Sequence, residues 1–511
     1  MKRLGRLALA AVLALGGPAA AQVKPPVAGG GAPAAPDKFA APPPPSGAPQ
    51  AAQPPADKFV APSPPAPTPP PPDASPAPRA APPPRRAAPN APPPVPANEP
   101  AAVARLRALL GPDTALAYRS AESLDPARGS VRLLGVSMDG RGRRVTMEEL
   151  TLDGLRDDGV GEATARTVAM RDSRSNATIA RLRLAGLSVQ RPPPGAEFRP
   201  DMVRLDALRI EGLRMTGNSD ATIAEFSVEE YGAGRVGRLS MSGFDIRVPR
   251  SGNRVAVARA ALRGMDLAAG LAALVASEAP PRAQGSYGLE VEGLSVRDGN
   301  RPLGGFGTLR VSAEVPASGL ETGSLALRDL RIEPFPGFAQ WLRRFGYEAL
   351  TADLSAESRY DRVSGRVELT SLSLSGREIA ALGLSMVLDG MTPKAAERRD
   401  HTALRLVSAT LRYVDQSLYG RYVRQQARET RVPEAQVRDE QAEMADMMLG
   451  SLGKGPGVDA LRDAVGRFLR GEARGVEVTA RPAVPLAFDE FGPGPPDAAL
   501  LGRLGLGASA R

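Results

Sequence analysis

The single histidine of this 511-residue chain, His401, sits in "RRDHTALRL" beside Asp400, just ahead of an alternating apolar run. A Ser-His-Asp relay would have to use it, but no G-x-S-x-G nucleophile elbow accompanies it. The position reads as a surface loop. Cysteine is absent, which removes thiol catalysis and Cys-containing zinc sites, and one histidine cannot make a histidine cluster. "GAGRVG" from Gly232 to Gly237 fits G-x-G-x-x-G. A dinucleotide site needs a strand before it and a helix after it, and here "RLSMSGF" follows as a second strand. A hairpin turn is expected instead. "GSLGKGPG" around Lys454 lacks the spacing and the Ser/Thr of a phosphate loop. The pairs Glu148-Glu149, Asp157-Asp158 and Glu229-Glu230 could serve acid–base work or calcium, but no third ligand stands at a telling spacing. The expectation is a non-enzyme with no catalytic residue, no metal and no cofactor.

With chemistry this sparse, the elements themselves must carry the function. Lys2, Arg3 and Arg6 precede an apolar run from Leu7 to Leu15 and the small-residue site Ala19-Ala20-Ala21. That is the anatomy of a secretory signal peptide over residues 1–21, cleaved before Gln22. Retention as an N-terminal anchor is the alternative, although the run is short for a bilayer span. Export to the periplasm is therefore expected, with stability drawn from packing because no disulfide can form. Of the formal charge of +9, +3 comes from Lys2, Arg3 and Arg6 and +2 from residues 22–100, which leaves +4 over the rest of the chain with both signs interspersed. No arginine stripe with interleaved aromatics is present, so nucleic acid is not an expected partner.

Residues 22–100 hold 30 of the 52 prolines. Such a tract cannot bury a core and favours extended polyproline II, a disordered arm reaching up to roughly 240 Å at about 3.1 Å per residue. It carries "PDKFAAP" and "ADKFVAP". Asp37, Lys38 and Phe39, and then Asp57, Lys58 and Phe59, form a candidate docking motif presented twice to an envelope-protein partner. Duplication within low-complexity sequence is the plainer reading.

From Ala101 a short helix is expected to 110, with Val103, Leu106 and Leu110 on one face. A β-rich zone over 101–390 follows, in which Val, Leu, Ile and Met alternate with Arg, Ser, Thr and Glu. Helices are expected around 264–277 and 336–346. Over 391–511 one strand leads into three helices and a closing edge strand. In the second of these helices Val437, Gln441, Met444 and Met448 line up at i, i+4, i+7 and i+11 as the face to be buried.

The β-rich zone repeats a slip. In "LRLAGLSV", Leu182 and Leu184 alternate properly, and after Gly186 the apolar residues jump one place to Leu187 and Val189. The same texture recurs in "VRLLGVSM", "LRIEGLRM", "LSMSGFDI", "AALRGMDL" and "LEVEGLSV". It also recurs with Asp329 in "LALRDLRI" and Ser371 in "VELTSLSL". A β-bulge reconciles the slip with one buried face if Gly186 and Leu187 together oppose a single residue of the neighbouring strand. The alternative is a strand end crossing between two layers. Bulges and glycine kinks curve a sheet, so the expected fold is mainly β with a helical C-terminal subdomain (α+β). Its core is a curved, bulged antiparallel sheet of about eight strands, about 40 Å wide at about 4.8 Å per strand.

What covers the apolar face decides function. A packed core would make a dry interaction module with the proline-rich arm as spacer. An open face would be a groove for acyl chains, with Leu182, Leu184, Leu187, Val189, Leu208, Ile210, Leu213 and Met215 as candidate lining. Phospholipid or the membrane surface would then be the partner. The strand texture of "LRLAGLSV" and "LRIEGLRM" across 101–390 resembles the AsmA-like envelope proteins. That resemblance implies long curved sheets, greasy interiors and a part in lipid handling and outer-membrane upkeep. "FGYEALTADLSAESRYDRVSGRVELTSLSLSG", "LRYVDQSLYGRYVRQQARE" and "VTARPAVPL" are similar to a poorly characterised family of alphaproteobacterial envelope proteins, which implies no catalytic residues.

Overall fold

A computed structural model describes residues 99–511, apart from 112–113, 141–142, 173–174, 191–198, 218, 249–250, 279–283, 399, 401 and 492–497. His401 and the two Asp-Lys-Phe copies of the arm lie outside the described residues. Helix α1 (Ala101–Leu110) begins directly after Pro100 and ends at Gly111, whose φ of +78° suits glycine. Its Val103 and Leu106 are buried against the first strands of the sheet.

Those strands open one continuous sheet. They are β1 (Thr114–Ala117), β2 (Ser120–Asp125), β3 (Ser130–Gly140), β4 (Arg143–Leu155), β5 (Gly159–Arg171), β6 (Asn176–Val189), β7 (Val203–Thr216), β8 (Asp220–Tyr231), β9 (Gly237–Arg247) and β10 (Asn253–Met265). Helix α2 (Leu267–Ala276) intervenes, capped by the Asp266 carboxylate accepting from the Ala269 N–H at 2.8 Å. The sheet resumes with β11 (Gly285–Asp298), β12 (Arg301–Val315) and β13 (Leu320–Ile332). After α3 (Phe338–Arg344) come β14 (Leu350–Asp361), β15 (Arg366–Gly376), β16 (Ala380–Asp389), α4 (Pro393–Arg398) and β17 (Arg405–Asp415). Helices α5 (Leu418–Thr430), α6 (Glu434–Gly450) and α7 (Pro456–Arg470) lead to β18 (Gly475–Ala480), β19 (Leu486–Ala487), α8 (Ala498–Arg503) and β20 (Leu506–Ala510).

From β3 to β17 each strand pairs antiparallel with the next, an uninterrupted meander. β1 and β2 lie end to end along the free side of β3. At the other side β18 and β19 pair with β17, and β20 pairs with β18. The closing edge is thus Leu506–Ala510, not the expected strand after Gly475, which is paired on both sides. The sheet is mostly antiparallel β, curved and open, as the repeated slip suggested, but with twenty strands among the described residues instead of about eight. "GAGRVG" is the hairpin turn between β8 and β9.

The expected bulge is corrected. Leu184 pairs with Leu208 and, beyond the slip, Ser188 pairs with Arg204, so both strands advance by four residues. Gly186 adds no unpaired residue. Across from it stand Gly161 of β5 and Asp206 of β7, where the apolar residues step by three as well, from Val160 to Ala163 and from Leu205 to Leu208. A second row of such steps, which meets β6 at Ala180 and not at Gly186, crosses the sheet: Gly135, Glu148, Thr167, Ala180, Gly212, Ala224, Gly243, Ala258 and Gly293. Along it every second residue has positive φ: Gly135, Thr167, Gly212, Gly243 and Gly293. On β6, β8 and β10 the opposing residue is alanine because the backbones approach closely, and a Cβ on Gly212 would lie 2.9 Å from the Cβ of Ala180. The copies carrying Asp329 and Ser371 behave as first expected. The register shifts between Leu327 and Leu330, and between Leu369 and Leu372, so these are bulges with an extra residue.

The outward face is wet. Glu149 lies between Arg132 (2.8 Å) and Arg166 (3.7 Å), Arg209 meets Glu225 at 3.0 Å, and Arg310 meets Glu290 at 2.6 Å. Exposed pairs of this kind contribute little each, but they fix which face meets water.

The inward face is buried at its two ends. α1 covers β3 and β4 through Leu133, Val136 and Leu150. Val458 of α7 and Leu500 and Leu501 of α8 meet Leu388, Leu406 and Leu486. Helix α6 turns its small residue Ala442 inward, and Asp446 accepts from Arg462 of α7 at 2.7 Å through each oxygen. That contact rotates Met444, Met447 and Met448 into solvent, 55–76% exposed, against the expected burial of Met444 and Met448.

Candidate apolar groove and aromatic pocket

The register builds the groove. Leu133 pairs with Leu150, Leu150 with Ala165, and Ala165 with Leu182. Leu182 pairs with Ile210, which pairs with Phe226, and Phe226 with Met241. The line continues through Ala260, Val291, Leu309, Leu327 and Leu354 to Leu374, Leu382, Tyr413 and Val476. A parallel line passes through Leu184, Leu208, Val228, Leu239, Leu262 and Leu289 and ends through Leu384 and Leu411 at Val478. Every strand from β6 to β18 thus places an apolar side chain in each line. Between the covered ends most of these side chains are only half-buried. Leu374, Leu382 and Leu411 are 38–44% exposed, well above what a packed core leaves.

The candidate lining falls within this frame. Leu182, Leu184 and Leu187 of β6 and Ile210 and Leu213 of β7 all pack toward the α1-covered core. Leu208 pairs with Leu184, Val189 with Val203, and Met215, 38% exposed, with Ala177. Pairing thus brings the eight together on two neighbouring strands. They stand at the more buried end, and the open stretch lies beyond them on β8 to β16, where alternation alone gave no reason to single out a residue.

At the β17 end the chemistry changes from aliphatic to aromatic. A cavity of about 400 Å³ is walled by Trp341 and Phe345 of the α3 segment, Tyr413 of β17, Leu418, Tyr419 and Tyr422 of α5, and Phe468 of α7. Tyr413 meets Phe468 edge-on at 5.6 Å, and Tyr419 lies 5.1 Å from Phe468. The Tyr413 hydroxyl donates to Asp415 Oδ1 at 3.1 Å, and that oxygen also accepts the Tyr419 backbone N–H at 2.8 Å. The Tyr419 hydroxyl donates to the Leu469 carbonyl at 2.9 Å. Burial, with the Asp415 charge and hydrogen bond behind it, pushes the Tyr413 phenol far above its ordinary value, and burial also raises Tyr419. Both rings stay neutral, with their polar ends engaged. Single-sequence reading missed this site, although "YVDQSLYGRY" is dense in tyrosine for a chain with 4% aromatic residues.

Among the described residues no group of three His, Asp or Glu side chains is placed to hold a metal, and no helix is long and apolar enough to cross a membrane. A family model described only as "Uncharacterized protein" matches residues 373–511, which run from the end of β15 through β20 and include Tyr413, Tyr419 and Phe468. No curated protein matches the chain.

Proposed function

We propose that this is an exported, non-catalytic envelope protein that holds or transfers lipid acyl chains along the two apolar lines and so supports the outer membrane. The observation that supports the reading is an unbroken run of directly paired apolar residues from Leu133 to Val476, half-buried through most of its middle. At about 4.8 Å per strand this run is about 70 Å long. A bilayer core of about 30 Å holds two opposed chains, so one chain covers about 15 Å. A path several chains long suits movement better than a single seat. The action would be passive, with aliphatic walls shielding each CH₂ for about 0.8 kcal/mol while headgroups stay in water. The likeness to AsmA-like envelope proteins points the same way.

The test is to purify the full chain without detergent and extract it for lipid mass spectrometry. Near-stoichiometric phospholipid is expected, and it should fall sharply in Leu309→Glu and Leu327→Glu, which place a charge mid-path. A lipid-free, cooperatively folding protein would sink the reading. What would remain is an interaction module whose partners crosslinking must find, with the proline-rich arm as its reach.

A further inference from the structure

We infer that the aromatic pocket between β17, α3, α5 and α7 is a separate binding site for a flat fused-ring amphiphile carrying an anionic group. It does not depend on the apolar lines holding lipid.

Apart from Tyr413, through which the first line also passes, the walls differ from those lines in kind. Leu374, Leu382 and Leu411 are flexible aliphatic side chains that suit flexible acyl chains. The pocket presents ring faces and edges set at fixed angles, 87° between Tyr413 and Phe468 and 37° between Tyr419 and Phe468. Hydrogen bonds from the Tyr413 and Tyr419 hydroxyls to Asp415 and the Leu469 carbonyl hold those two rings in place. Rings favour other rings in offset or edge-on contact at centroid separations these walls already show. A ligand that is itself a rigid ring system loses little freedom on entering. The cavity of about 400 Å³ lies in the range of small-molecule sites. The two bound hydroxyls have their donors committed, which selects an apolar body over a hydrogen-bonding one.

The charge comes from Arg438, which stands against the ring of the wall residue Tyr419 without itself lining the cavity. Its guanidinium lies 5.2 Å from the centre of the Tyr419 ring and has no ion pair among the described residues. Asp415 holds Tyr413 and the start of α5, and Arg421 faces Glu378 at 3.6 Å. Aromatic cages commonly take quaternary ammonium ions. Here Arg438 would repel such a cation and attract a sulfonate or carboxylate.

Trp341 is the only tryptophan of the chain and lines the pocket, so its emission reports on this site. The full chain is titrated with 1-pyrenesulfonate, with a trimethylammonium-bearing pyrene and with dodecanoate. Saturable one-to-one quenching by pyrenesulfonate is expected, with the cationic pyrene about tenfold weaker. Tyr422→Ala and Arg438→Gln should each weaken pyrenesulfonate about fivefold while both proteins remain fully and cooperatively folded at the titration temperature. Leu309→Glu, far along the apolar lines, should leave it unchanged. Equal binding of the cationic pyrene, displacement by dodecanoate at equal concentration, or indifference to both pocket variants would each overturn the inference. Loss of pyrenesulfonate binding in Leu309→Glu would overturn it as well, by assigning the probe to the lines.

Discussion

Arg421 lays its guanidinium over the ring of Tyr347, 4.2 Å from the centroid, and so ends a column of rings. The column runs from Tyr347 to Trp341 (6.1 Å), Phe338 (5.6 Å) and Phe335 (5.3 Å), each pair stacked. The same guanidinium donates to the carbonyls of Phe345 (3.0 Å) and Gly346 (2.6 Å), just past the end of α3, where helical carbonyls lack partners. One side chain of α5 therefore fixes the short helix that closes one end of β13 and β14.

Arg421→Ala should cost about 2–3 kcal/mol, since it leaves the Phe345 and Gly346 carbonyls unpartnered and strips the cation from Tyr347. Arg421→Lys keeps the charge but not the planar fork and should recover less than half of the loss. Thermal melts of the three proteins check this. A loss below about 0.5 kcal/mol for the alanine variant would show the column stands without its cap.

Gly212 occupies a left-handed position with φ of +67° against Ala180. Gly212→Ala should destabilise by about 1–2 kcal/mol, part strain and part contact. Adding Ala180→Gly should return the contact portion but not the strain, a coupling read from a double-mutant cycle. Gly502 of α8 has open space around it. Gly502→Ala should stabilise by about 0.5–1 kcal/mol through helix propensity.

Arg366 donates to both oxygens of Asp389, at 2.8 and 3.1 Å, and holds its carboxyl below the ordinary range despite partial burial. The folded state then binds fewer protons than the unfolded chain. The contribution is present above about pH 4 and is lost as pH falls through the lowered folded value. Arg366→Gln should flatten the acid limb of a stability–pH curve relative to wild type. An unchanged limb would show that Asp389 is held down by something else.

Tyr413 gives the opposite sign. Its raised phenol pKa means that stability is present below about pH 10 and is lost as pH climbs from there toward the folded value. Tyr413→Phe should cost about 1 kcal/mol at neutral pH through the lost bond to Asp415. It should also remove the latest-ionising part of the phenolate absorbance titration.

How far the sequence anticipates this fold depends on which partner of each step carries glycine. The copies at Gly135, Gly186, Gly212, Gly243 and Gly293 are visible because a left-handed residue favours glycine. The facing strands answer with Ala180, Ala224 and Ala258, which carry no turn signal. β8 therefore escapes the pattern, β5 escapes it because its left-handed residue is Thr167 and not glycine, and the sheet looks less than half its true width. Strand alternation identifies the apolar face but not where it is covered, since that depends on α1 and α7, far apart in the chain. The pocket needs Trp341, Tyr413 and Phe468, separated by 72 and 55 residues in the sequence, so only tertiary structure assembles it. Met444 and Met448 mislead because helical periodicity names a stripe without saying which neighbour chooses the face.

The strict alternation of left-handed residues on neighbouring strands makes the hairpin, not the strand, the unit of inheritance. Gain or loss of a whole hairpin between β3 and β11 preserves the alternation and merely lengthens or shortens the sheet. Gain of a single strand would set two left-handed residues face to face or leave a step unanswered, besides reversing every later strand. A lineage can therefore change the span of this molecule in increments of about 10 Å, two strand spacings at a time, while each surviving hairpin keeps its own sequence.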